Sequence, residues 1–424
     1  MSASRVLVTG IGVVSSLAIG HQEHCRRLWA GDSGAAATPE GAAYRALCPF
    51  EARVAGFDRR QRIQNRMLRK LLTTSAAFAV AAAGEALADA GLASGSPELG
   101  DCALYAGSVC IDFDPEIFIP PLKESLDPAG RLDVGRFARR GLHVLDPLFI
   151  VKTLPNGGVG GIAIEHQVTG PSLNITNGSA SGLQALLAAF RAVRCGESEL
   201  ALAGGYDSLL SMDSIAEHLV GRRVAVEASE PALACRPFDV RRQGYLLSEG
   251  SAFLVLESEA HARRRSARIY GEILGGGQST AVAAGERGPG ASGLDEAARC
   301  ALERAGCPPE EVDAVFGDGL AVEADERVEA EVVRRLFGDR RVPYTAATAS
   351  LGFTGAASGI FSLLHALASL RGGVLPPMIN CERPDPRCGL DFVHHPRELP
   401  LRRALVWSSD QGVKNAAAVV GTGG

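Results

Sequence analysis

The chain has 424 residues, 46% of them hydrophobic and 21% charged, with a formal net charge of −5. That length exceeds what one core usually fills and points to two domains or two fused halves. The mild acidity argues against a general nucleic-acid binder. The opening MSASRVLVTGIG has no basic segment followed by a long apolar core, so no secretory signal is expected. Every longer apolar stretch is broken by Gly, Ser or charge, so no membrane span is expected. The ten cysteines show no CxxC spacing. Free thiols in a reducing cytoplasm, with no zinc or other metal site, are therefore the expectation.

The 50 glycines mostly separate short apolar runs, which suits an α/β chain. Arg5 to Thr9 reads as a first β-strand, closed by a tight turn at Gly10-Ile11-Gly12. That GxG lacks the third glycine of a dinucleotide fingerprint, which speaks against such a site. Leu68 to Leu92 reads as one long Ala-rich helix stopped by Gly91. Cys102 to Ala106 reads as a strand, and residues 108 to 160 as an irregular insertion. Ser181 to Arg194 carries Leu183, Leu186, Leu187, Phe190 and Val193 on one stripe and reads as a helix. Strands follow at Leu200–Ala203 and Phe253–Leu256.

The alternation restarts beyond a charged stretch at His261–Arg268. Ile269–Leu274 reads as a strand, Gly293–Ala305 as a helix and Ala314–Phe316 as a strand. Gly359–Leu370 reads as a helix, and Ala404–Trp407 and Ala416–Val420 as late strands. Two related α/β units, 1–260 and 261–424, are the expectation, without a visible repeat at residue level.

Four segments, in order, carry a resemblance. RVLVTGIGVVSSLAIG opens the chain at Arg5–Gly20. GPSLNITNGSASG spans Gly170–Gly182, with LALAGGYDSLL after it. PFDVRRQGYLLSEGSAFLVLE spans Pro237–Glu257, and GAASG spans Gly355–Gly359. Together they resemble the β-ketoacyl synthases. The resemblance implies a thiolase-like fold of two βαβαβ halves in five layers, a dimer, and substrates carried on an acyl carrier protein. It implies no cofactor in the chain itself.

Condensation needs an easily ionised nucleophile, two imidazoles and backbone N–H donors for an oxyanion. The resemblance puts the family's Cys position on Ser179, a weaker nucleophile unless a base activates it. Ser179 also suits a helix cap. The first His position falls on Asp318, in register with Glu326 and Glu329, where a carboxylate would repel an enolate; a loop Asp making an Asx turn is the plain alternative. The second falls on Phe353 or Gly352, and the preceding Lys is replaced near Thr348. The family's Gly/Phe-rich gating loop reads here as Ser409 to Asn415. None of the nine histidines sits in a family motif, although His166 lies shortly before Ser179.

Scaffold motifs kept beside lost catalytic groups resemble the chain-length factors of type II polyketide synthases, which pair with a catalytic ketosynthase. The run Pro147 to Asn156 resembles partners from reduced, polyene-making systems. The resemblance also implies a tunnel segment at Cys110, Phe113 and Phe118. It implies a dimer contact near the helix and strand after Ser179. The basic run Arg59, Arg60, Arg62, Arg66, Arg69 and Lys70 is a candidate carrier-protein dock, with a solvated helix face as the alternative. Two rival readings stand beside this: a ketosynthase, acyltransferase or decarboxylase using Ser179, and a homodimer that only binds acyl chains.

Overall fold

The computed structural model describes residues 4–109, 115–281 and 291–423. Eleven strands form one mixed sheet: β1 Val6–Val14, β2 Ala103–Gly107, β3 Ser172–Ile175, β4 Leu200–Ser208, β5 Glu249–Ser258, β6 Gly271–Thr280, β7 Ala314–Phe316, β8 Pro343–Thr345, β9 Asp391–Phe392, β10 Arg403–Asp410 and β11 Lys414–Gly421. The order is β9-β8-β7-β10-β11-β6-β1-β5-β4-β2-β3. From the central β1/β6 pair outward the two sides repeat one another. β1-β5-β4-β2-β3 has two antiparallel pairings and then two parallel ones. β6-β11-β10-β7-β8 does the same.

The helices that matter for the site are α1 Arg59–Arg62, α2 Arg66–Leu71, α3 Thr74–Asp89, α4 Phe149–Thr153, α5 Gly157–His166, α6 Ser181–Arg194, α7 Met212–Val220, α8 Ser292–Ala305, α9 Glu323–Phe337 and α10 Ser358–Gly372. Three cores divide the molecule into five layers. The middle core packs α6 and α10 between the inner faces of both sheet halves, through Leu183, Leu187, Ile360 and Leu364. One outer core sets α3 on the first half through Ala79, Ala83 and Leu87. The other sets α8 and α9 on the second half around Trp407 and Val419. This is the thiolase-like α/β architecture.

Several local expectations change. Gly10-Ile11-Gly12 is not a turn but the middle of β1. Its glycines exist because α3 lies directly on the strand. A Cβ on Gly12 would stand 1.9 Å from the Ala82 carbonyl oxygen, and one on Gly10 would stand 2.2 Å from that of Ala86. The same device recurs in the second half: a Cβ on Gly277 or Gly275 of β6 would stand 2.0 Å from the Ala297 carbonyl oxygen or 2.8 Å from that of Ala301, both on α8. A residue-level repeat is therefore present, as glycine on a strand under alanine on a helix. Gly12→Ala is expected to destabilise by roughly 3 kcal/mol or more, because backbone cannot yield as a side chain can. A urea midpoint equal to wild type would refute it.

The long helix divides into α2 and α3. Leu72 is extended, and the Thr73 hydroxyl accepts from the Ala76 N–H at 3.2 Å, starting a new helix. The 108–160 insertion is not irregular throughout, since Pro115–Glu124, α4 and the start of α5 lie in it. Among the described residues no helix is long and apolar enough to cross a membrane.

Candidate functional site

Ser179 stands two residues before α6, at the mouth of a cavity of about 400 Å³. It does not cap the helix. Ser181 holds the turn instead, its hydroxyl donating to the Gly178 carbonyl at 2.6 Å and accepting the Asn177 N–H at 2.7 Å. The Ser179 hydroxyl donates to the Ser409 carbonyl at 3.1 Å, so its proton is committed to a backbone oxygen rather than to a base.

The Asp410 carboxylate lies beside the Ser179 backbone N–H, which favours its charged form. Asp410 sits close against the turn, because a Cβ on Gly178 would meet its Oδ2 at 2.1 Å. Gly178 has φ +67°, a conformation that suits the residue without a side chain. Burial pushes the Asp410 carboxyl above its ordinary range, while Lys414 and the Ser179 N–H pull it down. A second backbone donor nearby, the Ser409 N–H, gives its hydrogen to Asp318 Oδ2 at 2.7 Å. The Ser409 N–H is thus consumed by a carboxylate of the same chain, and a second carboxyl, Asp410, crowds the turn at Gly178. An oxyanion formed at Ser179 would find the first donor taken and a carboxyl at close range.

Asp318 lies behind this wall, buried, and makes no Asx turn of its own. Its carboxylate reaches Ser409, and its backbone N–H donates to Glu329 Oε2 at 2.9 Å. Glu329 also accepts from the Gly319 N–H at 3.0 Å, Tyr344 OH at 2.5 Å and Trp407 Nε1 at 2.7 Å. Those four donors suit an ionised carboxylate. Burial and the neighbouring Glu329 raise the Asp318 carboxyl well above its ordinary range. The Thr348 hydroxyl donates to the Asp318 carbonyl.

Phe353 lines the cavity opposite Ser179, 4.6 Å from the Tyr245 ring and 6.0 Å from that of His218. Gly352 has φ +74°, and a Cβ there would collide with Ser248 at 2.7 Å. Of the two alternatives it is therefore Phe353 that presents a side chain to the cavity. Sequence reading missed His218. It lies on α7, donates through Nδ1 to the Ser214 carbonyl at 2.7 Å, and lines the cavity with Arg223 and Tyr245. No motif marks it, and only the i−4 spacing to Ser214 on an amphipathic helix hints at its orientation. His166 does not reach Ser179: it is buried against Gly84, between Val80 O at 2.9 Å and Ser94 Oγ at 2.9 Å.

The other candidate residues lie elsewhere. Arg59, Arg66, Arg69 and Lys70 line a cleft of about 860 Å³ with Arg53 and Arg60, and Arg62 is exposed outside it. Arg59 is turned partly inward, donating to the Leu72 carbonyl at 2.7 Å. Cys110 and Phe113 lie outside the described residues. Phe118 is half-buried, edge-on to Phe149 at 6.0 Å. The helix and strand after Ser179, α6 and β4, are interior to the chain, so neither offers a face to a partner. The exposed apolar side chains instead cluster on the insertion and the edge strand β3, including Leu132, Val134, Ile150, Ile164 and Leu173. Among the described residues no group of three or more His, Cys, Asp or Glu is placed to hold a metal ion.

A five-layered thiolase-like scaffold, with a turn presenting one side chain at the start of its central helix, defines a class of acyl-condensing proteins. The β-ketoacyl synthase N-terminal domain matches residues 3–262 and its C-terminal domain residues 270–382, so the chain belongs to the β-ketoacyl synthase family. It is 32% identical over 428 residues, 99% of each chain, to the tetracenomycin polyketide synthase ketoacyl synthase beta subunit of Streptomyces glaucescens. It is 28% identical over 424 residues, again 99% of each chain, to 3-oxoacyl-[acyl-carrier-protein] synthase 2 of Coxiella burnetii. The ishigamide ketosynthase/chain length factor superposes with a TM-score of 0.87 at 27% identity, covering 100% of both chains.

Proposed function

We propose that this chain is a non-condensing ketosynthase-like subunit, a chain-length factor, of a type II polyketide synthase, in a system making a reduced polyene product. In this reading residues 1–260 and 261–424 are its two halves, and Ser179, Asp318 and Phe353 are degenerate catalytic positions. The observation that carries it is the pairing of the Ser409 N–H with Asp318, beside an Asp410 carboxyl that crowds the Ser179 turn. A backbone donor is committed and a carboxyl stands where an oxyanion would form, in a site whose nucleophile position holds a serine. The similarity to a ketoacyl synthase beta subunit supports the same conclusion.

The partner is a catalytic ketosynthase. Its docking face is the edge strand β3 with the exposed apolar residues of the insertion. An unpaired edge and a large apolar patch both call for cover. The interface is expected to bury more than ~2,000 Å², as obligate pairs do. Co-expression with the cognate ketosynthase tests this by native mass spectrometry; a chain that stays monomeric or self-paired refutes it.

In the complex, Cys110, Phe113 and Phe118 close the partner's acyl tunnel, and Phe118→Ala lengthens the product by opening a few methylenes of space. Normal assembly with unchanged product mass would remove Phe118 as a ruler. The basic cluster docks the acyl carrier protein, whose phosphopantetheine carries the chain. Charge reversal at Arg62 and Arg66 is expected to slow the complex at low salt; a salt-independent, unchanged rate would leave a merely solvated face.

A further inference from the structure

A second cavity, of about 410 Å³, lies back to back with the Ser179 cavity. The segment Ser208–Ser211 divides them. Leu209 faces the Ser179 side, while Ser208, Leu210 and Ser211 face the other.

Four cationic side chains from four separate segments meet in this second cavity: Arg53 after the short strand Phe50–Glu51, Arg59 on α1, Lys70 on α2 and Lys152 on α4. Their only acidic neighbour in the lining is Glu249. Its oxygens already accept from the Val54 N–H at 3.1 Å and the Ser208 hydroxyl at 2.8 Å. Arg53 is braced by Glu51 at 2.7 Å and Lys152 by Asp146 at 2.6 Å, both from outside the lining, so their positions are fixed in advance. With Glu51, Asp146 and Glu249 beside them the four cations leave one positive charge in excess, which an anion would balance.

The neutral donors point to the same ligand. Thr73 and Thr74, at the start of the 16-residue α3, line the cavity, as does Ser211 at the start of the nine-residue α7. Ser211 makes no capping bond, and its buried hydroxyl oxygen has no partner among the described residues. A hydroxyl at a helix start with an unspent hydrogen is a donor awaiting an acceptor. Ile117, Leu71 and Leu210 supply an apolar wall.

We propose that this cavity binds the phosphoryl group of a small phosphate monoester, with its organic part against Ile117, Leu71 and Leu210. The dianion is bound by Lys70, Lys152 and Arg53, and it accepts the Ser211 hydroxyl. The inference stands on this cavity and does not rest on the chain-length-factor reading.

The test titrates the purified full chain with inorganic phosphate and, separately, n-butyl phosphate, by calorimetry at constant ionic strength set with chloride. Saturable binding is expected, tighter for the butyl ester. Lys152→Ala and Ser211→Ala are each expected to weaken it about tenfold, the effect of one charge-assisted hydrogen bond. Arg131→Ala, which does not line the cavity, is expected to leave it unchanged. Melting temperatures of the variants without phosphate separate lost binding from lost folding. Heat no different from chloride, or equal affinity in wild type and both cavity variants, overturns the proposal.

Discussion

Supplied with acyl- and malonyl-loaded carrier protein, the isolated chain is expected to give no extended product. Condensation requires a thiolate, and Ser179 offers a hydroxyl whose proton is bonded to the Ser409 carbonyl at 3.1 Å. In the proposed reading Asp318 and Phe353 stand at the imidazole positions, and Asp318 turns its carboxylate onto the Ser409 N–H at 2.7 Å. A single exchange is therefore not expected to rescue activity. Ser179→Cys alone leaves the Ser409 N–H occupied and Asp410 against the turn. The triple variant Ser179→Cys, Asp318→His, Asp410→Gly relieves both and is the first variant expected to retain an acyl group from an acyl thioester. Product from wild type that vanishes in Ser179→Ala would refute this reading and establish a serine-dependent enzyme in its place.

A large loss of stability between pH 7 and pH 5 is the second expectation. His24 and His365 are fully buried, Nε2 to Nε2 at 2.8 Å, with His24 Nδ1 on the Ser15 hydroxyl at 2.8 Å. They stack on each other and on Phe361, with Trp29 edge-on to His365. Burial pushes His24 down to about 3 and His365 well below its ordinary range. Folded, the pair stays neutral; unfolded, each ring takes a proton below its ordinary value of 6.5. The stabilisation is therefore complete above that value and is lost as pH falls towards 3. At pH 5 the loss is about 2 kcal/mol per ring, roughly 4 for the pair. His21 has a small effect of the same sign, its pKa being lowered chiefly by burial. The raised carboxyls of Asp318 and Glu329 work in the opposite direction as pH falls. Comparing urea midpoints of wild type with His24→Leu/His365→Leu at both pH values isolates the pair. An equal pH dependence in both proteins would show that these rings do not carry the effect.

The order of elements was legible in the sequence because hydrophobic period and glycine stops are local signals. Ser181–Arg194 and Ala314–Phe316 appear in the structure with the bounds read from the sequence. Thr73 escaped because an alanine-rich run shows no break until the hydroxyl is seen capping α3. Gly10 and Gly12 were misread because a glycine in a turn and a glycine under a helix look the same along a chain.

By itself the sequence determined the family and the layered α/β order, since these depend on residue identity in sequence register. Tertiary structure alone decided that Asp318 takes the Ser409 N–H, that Asp410 packs against the Ser179 turn, and that His218 enters the same cavity. It alone brought together Arg53, Lys70 and Lys152, as well as the His24–His365 pair, whose members stand 341 residues apart. The physical reason is that hydrogen bonding, charge and burial act through space over a few ångströms. No periodicity along the chain encodes which distant segments will come that close.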